Sequence, residues 1–325
     1  DAGGDFALRL YTSESSAKEG LDFTFNPTSQ IKSISNTTPD TIVFNVPIKD
    51  DAIFEGNERI KFGLINVSNV IILQPDSFIV NIIDDDLPVY TIGKINKQTK
   101  SDGTVDSTGV RCRIFGVVYG INTRSTGLGF TVRDQTGGIG VFSASKTYGY
   151  AVNEGDSVMI QGRVSQFQGS AQMDNLDTIV WLSSNSKLKS PVVLNSKVGE
   201  SNESDLIQLR RVKLVDPLEW PETALNANGF KYVRVESTDG RVDTLNIDAE
   251  TNIDGTTAPS GYFNVTGLGI QFDNKAPYFE KYYLAPRSLN DFTPASLPTI
   301  KFSKSVDEIT ELADSFTMEL NILPT

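Results

Sequence analysis

Ile48-Lys-Asp-Asp-Ala-Ile-Phe-Glu-Gly-Asn-Glu58, followed 26 residues later by Asp84-Asp-Asp86, gathers seven carboxylates into two short clusters on either side of a β-rich segment. Carboxylates at this density repel one another unless a cation neutralises them. Hard cations such as Ca2+ take about six to eight oxygens, often from Asp and Glu. The stretch therefore reads as two loops of a β structure that meet around a cation. The plainer alternative is a set of solvated loop charges, since Asp-rich strand exits are common on protein surfaces.

The sequence around these clusters is rich in strand signals. Thr41-Ile-Val-Phe-Asn-Val46 and Ser77-Phe-Ile-Val-Asn-Ile-Ile83 are runs of β-branched and aromatic residues. Gly, Asn, Asp and Ser clusters punctuate such runs at short intervals, as sandwiches and barrels require. Stretches with helical spacing are short, for example Ser305-Val-Asp-Glu-Ile-Thr-Glu-Leu312. The expected class is all-β. Pro-bearing joints at Asp86-Leu-Pro88, Leu188-Lys-Ser-Pro191 and Phe292-Thr-Pro-Ala-Ser-Leu-Pro298 divide the 325 residues into four pieces: 1–88, 89–190, 191–296 and 297–325.

Composition removes several function classes. The chain has no histidine, which excludes Ser-His-Asp and Cys-His nucleophile systems and His-ligated zinc. Its single cysteine, Cys112, cannot form an internal disulfide, and the alternating run around it reads as a buried strand. No run of apolar residues is long enough to span a membrane. Net charge is −12, which disfavours nucleic acid as a partner through long-range repulsion. The charge is uneven, however: −8, +4, −5 and −3 along the four pieces. The second piece alone escapes the electrostatic argument.

The second and third pieces read as copies of one unit. Ile160-Gln-Gly-Arg-Val-Ser-Gln-Phe167 recurs as Val265-Thr-Gly-Leu-Gly-Ile-Gln-Phe272, and Gly129-Phe-Thr-Val-Arg-Asp-Gln-Thr-Gly-Gly138 parallels Gly229-Phe-Lys-Tyr-Val-Arg-Val-Glu-Ser-Thr-Asp-Gly240. An offset near 100 residues means tandem domains and not solenoid turns. Five strands with a glycine, Gly116, in the first suit a small closed barrel, because Gly permits the sharp bend.

Two family resemblances follow. Residues 1–88, with the acidic stretches quoted above and Gly20-Leu-Asp-Phe23, resemble a Calx-beta domain, an immunoglobulin-like calcium-binding sandwich. The resemblance implies calcium at one tip, held by Asp22, Asp50, Asp51, Glu55, Glu58, Asp84, Asp85 and Asp86. Ala52 stands where the family usually has a further acid, which weakens one ion position. The family's first strand is missing before Asp5-Phe-Ala-Leu-Arg-Leu-Tyr-Thr12, while Thr299–Val306 and Ser315–Ile322 are similar to the opening of such a domain, with Glu311 as its first-strand acid. The chain thus reads as a piece of a longer array. Residues 299–322 of one molecule are expected to complete the 1–88 domain of another, head to tail.

The second and third pieces are similar to OB-fold modules of bacterial secreted proteins, including nuclease-associated ones. The second shows this in Gly116-Val-Val118, Phe130–Ile139, Glu154-Gly-Asp156 and Gln166-Phe167, the third in Pro259–Gly267 and Tyr283-Leu-Ala-Pro-Arg287. A ligand face would combine Arg111, Arg113 and Phe115 with Tyr119, Arg124, Arg133, Arg163 and Phe167, since aromatics beside Arg are how such barrels stack bases. Alternatively Phe115 and Phe167 plug the barrel ends and the arginines merely solubilise it. Trp181 ends an apolar strand and reads as core. The resulting expectation is a non-catalytic, calcium-binding scaffold for adhesion or ligand binding, extracellular or on a bacterial cell surface. The alternative is the nucleic-acid- or carbohydrate-binding accessory region of a secreted hydrolase.

Overall fold

The computed structural model describes residues 3–297, 299–302 and 320–323, the last two segments by their backbone. The protein is all-β, and divides into two compact units, Asp1–Val89 and Tyr90–Thr325. The boundary falls at the Pro88 joint. The barrels expected at 89–190 and 191–296 lie together in the second unit.

In the first unit, β1 (Gly4–Leu10), β2 (Ser29–Ile34), β3 (Glu58–Ser68) and β4 (Ser77–Ile82) form one antiparallel sheet in the order β2-β1-β3-β4. Period-two alternation puts Ile60 and Phe62 of β3 on one face. There they meet Leu10, Phe23 and Phe25, with the Phe25 and Phe62 rings edge to face at 4.9 Å. The strand expected at Thr41–Val46 does not form a ladder. Pro39 and Pro47 bracket it, and neither has an N–H to donate. The segment is held instead by the Phe23–Ile48 bridge, by Thr24 N donating to Pro47 O (2.9 Å), and by Phe44 against Phe6.

The second unit opens with a one-turn helix, α1 (Ile92–Ile95), and a closed barrel. Its strands are β5 (Arg111–Tyr119), β6 (Leu128–Arg133), β7 (Gly138–Ser143), β8 (Ser157–Phe167) and β9 (Ser170–Ser183), closing in the order β5-β6-β7-β9-β8. Cys112, Ile114, Val132, Val158, Ile160 and Met173 fill the interior, as alternation requires. Ile92 and Ile95 of α1 join that core. Gly116 is needed where the first strand bends, because a Cβ there would lie 2.8 Å from the Arg133 carbonyl oxygen. Burial pushes the Cys112 thiol up to about 11, so it is an inert core residue. Phe115 and Phe167 are exposed on the outside and plug nothing. Trp181, read as core, is 55% exposed, although it stands opposite the buried Val158 in the β8–β9 ladder.

The remaining strands are β10 (Val192–Val193), β11 (Leu206–Leu214), β12 (Phe230–Ser237), β13 (Val242–Asp248), β14 (Tyr262–Gln271), β15 (Tyr282–Ala285) and β16 (Phe292–Ala295). They make one seven-stranded sheet, in which an additional β11–β14 pairing closes the ring β11-β12-β13-β15-β14. That order is the barrel's own: first, second, third, fifth, fourth. In both rings the third and fifth strands meet in a short parallel contact, Gly140–Gln172 with Val141–Met173 in one and Leu245–Leu284 in the other. The sequence repeats fall on matching strands, Ile160–Phe167 on β8 and Val265–Phe272 on and just beyond β14. The tail strands β17 (Thr299–Phe302) and β18 (Leu320–Leu323) pair with each other, Thr299 opposite Leu323. Ser305–Leu312 lies outside the described residues.

Candidate functional site

The acidic site is built by three segments of the first unit. A tight turn at Lys18–Phe23 passes through Gly20 at φ +89°. It places Asp22, whose carboxylate accepts from Lys18 N (2.6 Å) and whose carbonyl accepts from Lys49 N (2.8 Å). This ties the turn to the 48–58 loop. The loop turns again at Gly56, φ +82°, and delivers Glu58 into the first position of β3. Carboxylate oxygens of Asp22, Glu55 and Glu58 all lie within 4.8 Å of one another.

Asp84 acts differently. Its Oδ2 accepts from Glu55 N (2.7 Å) and Gly56 N, and its Oδ1 from Asp86 N (2.9 Å). Asn57 Oδ1 in turn accepts from Asp84 N (3.1 Å). Asp84 therefore clamps the 55–57 loop to the exit of β4, and these N–H groups, Gly56 foremost, hold its carboxyl below the usual range. Partial loss of water, then the charges of Asp22 and Asp51, raise Glu55; loss of water and then Asp22 raise Glu58. Mutual repulsion among the three acids is what a bound cation would relieve.

The eight expected first-unit ligands thus fall into three groups. Asp22, Glu55 and Glu58 converge. Asp84 clamps the loop beside them, and Asp51 spends one oxygen on Ile53 N (2.8 Å). Asp50 and Asp85 are exposed, and Asp86 donates its N–H to Asp84. Glu311 lies outside the described residues. The three convergent acids fit a hard cation: oxygens within 4.8 Å of one another can share one ion at metal–oxygen distances of about 2.3–2.6 Å.

The expected barrel face splits between two sides. Arg111, Arg113 and Phe115 alternate with core residues on the outer surface of β5, and Arg163 faces Arg111 across the β5–β8 ladder. Arg111 is paired with Asp177 (2.6 Å), and Arg113 faces the Gln161 amide, whose oxygen accepts from it (2.8 and 2.9 Å) when the amide is turned to satisfy both groups. Arg133 is buried and spent inside the unit: its guanidinium bonds the Ser204 carbonyl and Asp205 and lies over the Tyr119 ring. Tyr119, Arg124 and Phe167, by contrast, line a cleft of about 440 Å³ between the barrel and the second ring.

The cleft's other residues were missed in the sequence. Gly140 and Phe142 of β7 face Phe230, Asn246 and Asp248 of β12 and β13 and Ile270, Gln271 and Phe272 at the end of β14. At its rim, Phe230 stacks on Phe272 (6.1 Å) and touches Tyr232 (5.1 Å), which stacks on Tyr283 (4.5 Å). The repeat alignment carried the signal, since Phe272 occupies the place of Phe167 in the other copy. Burial, with the charges of Glu250 and Asp254 adding, pushes Asp248 up to about 6. Arg124 lies near enough to oppose that shift and packs over Phe142. No helix among the described residues is long and apolar enough to cross a membrane. No protein-family model and no curated protein matches the chain.

Proposed function

We propose that the chain is a non-catalytic binding scaffold whose first unit is held in shape by calcium. The convergence of Asp22, Glu55 and Glu58 carries this reading. The sequence resemblance supplies the family expectation, a Calx-beta sandwich followed by two OB-like barrels. The twice-used ring order supports the second half of it. On this reading calcium bridges the turn at Asp22 to the start of β3, while Asp84 orders the intervening loop through backbone bonds. An extracellular or bacterial cell-surface location is proposed with the same reading, on the family resemblance alone.

Thermal melting in millimolar calcium against EDTA, with titration calorimetry, tests the reading. A ligand that binds the native state alone stabilises it by about 2.7 kcal/mol at a hundredfold excess over Kd. The first unit's transition should rise in calcium and Glu58→Gln should abolish the rise. Melting curves that superimpose, with no heat of calcium binding, would overturn it.

A second part of the proposal concerns assembly. Ile31, Phe78 and Ile79 on β2 and β4 are exposed in the first unit, and so are Ile71 and Leu73 in the loop between β3 and β4. Exposed apolar side chains beside open sheet edges support strand addition from another molecule. The 299–322 segment is the donor proposed here.

A further inference from the structure

We propose that the cleft between the barrel and the second ring binds a neutral oligosaccharide. The inference does not rest on the calcium reading, since every residue it uses belongs to Tyr90–Thr325.

The cleft is preformed and held on several sides. Arg133 bonds Ser204 and Asp205 across the two rings. Glu203 accepts from Ser170 Oγ (3.0 Å) and Ala171 N (2.9 Å). The Asn228 amide exchanges two hydrogen bonds with Ser125, 2.7 and 3.1 Å, joining the β5–β6 loop to the turn before β12. Pockets of this size, mostly apolar with a few fixed polar groups, are the usual form of small-ligand sites.

The wall chemistry selects the ligand class. Phe167 and Phe230 are each about half exposed, 54% and 47%, although both are large apolar rings. Phe230 is backed by Phe272, and aromatic rings carry negative potential on their faces. A pyranose ring presents a face of C–H groups to such a surface and a rim of hydroxyls to polar neighbours. Those neighbours are here: the Asn246 amide and the Asp248 carboxyl on β13. Buried Gln271 supports the wall behind them, its Nε2 donating to the Tyr278 and Glu280 carbonyls (2.9 and 3.1 Å).

Charge argues against a phosphodiester chain. Holding one requires successive uncompensated cations. Arg287 is held by Asp291 on two sides and by Glu154. Arg124 faces Asp248, and Lys281 at the rim bonds Asn274 (2.9 Å) near Asp273. The cleft is thus close to neutral, which suits an uncharged polyol.

Gly140 offers a clean test. A Cβ placed there would have its nearest neighbour at 3.4 Å, so a side chain is sterically admissible and would project beside Phe142 into the cleft. The full chain is run in native gels containing dextran, mixed-linkage β-glucan, xylan or galactomannan. Oligosaccharides of any polymer that retards it are then titrated by calorimetry, with oligothymidylate as comparator at two salt concentrations. We expect retardation by at least one neutral polymer. Phe230→Ala and Gly140→Leu should each weaken binding about tenfold, while Phe115→Ala, outside the cleft lining, leaves it unchanged. Gly140→Leu keeps the test valid if Phe230→Ala melts early. Three results would each overturn the proposal: no retardation by any neutral polymer, binding indifferent to both cleft variants, or salt-sensitive binding of oligothymidylate alone.

Discussion

The two units spend their apolar residues in opposite ways. Among the described residues, the second buries nineteen in the barrel core and fourteen in the ring that follows. The first buries six in its main core, while Ile71, Leu73, Phe78 and Ile83 stay more than 60% exposed. At about 25 cal/mol per Å² of apolar area, the second unit is stabilised by its own interior. The first has an open four-stranded sheet and repelling carboxylates at one end. On the function proposed above it would gain stability from what it binds, a cation at the acidic tip and protein on its apolar surface.

The largest effect that would sharpen this contrast lies in the barrel. Ile160 is fully buried between β5 and β9. Ile160→Ala should cost the second unit about 3–4 kcal/mol, the usual cost of a cavity in a packed core. Two melting transitions are expected, and the variant should lower only the one that calcium leaves in place. A single transition, lowered as a whole, would mean that the units are not energetically separate.

Calcium is the next step down, about 2.7 kcal/mol at a hundredfold excess over Kd and confined to the first unit. Chelation by EDTA should therefore widen the gap between the two transitions. Asp50→Asn should leave the calcium effect nearly intact, because Asp50 is exposed and stands outside the convergent trio, whereas Glu55→Gln should reduce it. Equal effects from both substitutions would show that the whole acidic loop, and not the trio, holds the ion.

A smaller, pH-dependent difference comes from Glu203 at the seam of the second unit. Burial, with Glu200's charge adding, pushes its carboxyl up to about 7, against the hydrogen bonds from Ala171 N and Ser170. The folded state thus holds this proton more tightly than the unfolded chain. The stabilisation is complete below about pH 4.5 and is lost as pH rises through 7. At about 1.4 kcal/mol per unit, reduced for partial exposure, roughly 2 kcal/mol is at stake. Glu203→Gln should melt higher than the parent at pH 8 and draw level near pH 5. A gap of the same size at both values would show that the carboxyl does not titrate in this range.

What could be read from the sequence follows the same division. The barrel was legible because alternation, Gly116 and the 105-residue repeat all point to one closed ring with a buried interior. The carboxylate trio was legible as part of a wider acidic set. That Asp84 would act as a clamp was not, since its bonds go to backbone N–H groups that any residue carries. The Thr41–Val46 run has the composition of a strand, but strand propensity does not create a partner edge. The cleft was hidden because its two walls are a hundred residues apart. Arg111, Arg113 and Phe115 share the outer face of β5 with Tyr119 but sit earlier along the strand, outside the cleft, as does Arg163 on β8, and Arg133 is consumed as a strut.

The smallest effect on stability tests the first unit's exposed surface. Ile71 and Leu73 are 87% and 77% exposed, so Ile71→Ser with Leu73→Ser should change the unit's melting by no more than about 0.5 kcal/mol. Self-association is where the substitution should register. If the apolar surface receives residues 299–322 of another molecule, light scattering at high concentration should show oligomers of the parent chain. Deleting residues 297–325 should remove them, and the serine pair should weaken them. A parent chain that stays monomeric would leave the open sheet without the partner proposed for it. Oligomers that survive the deletion but not the serine pair would mean that the surface binds its own copy, a symmetric contact in place of a head-to-tail one.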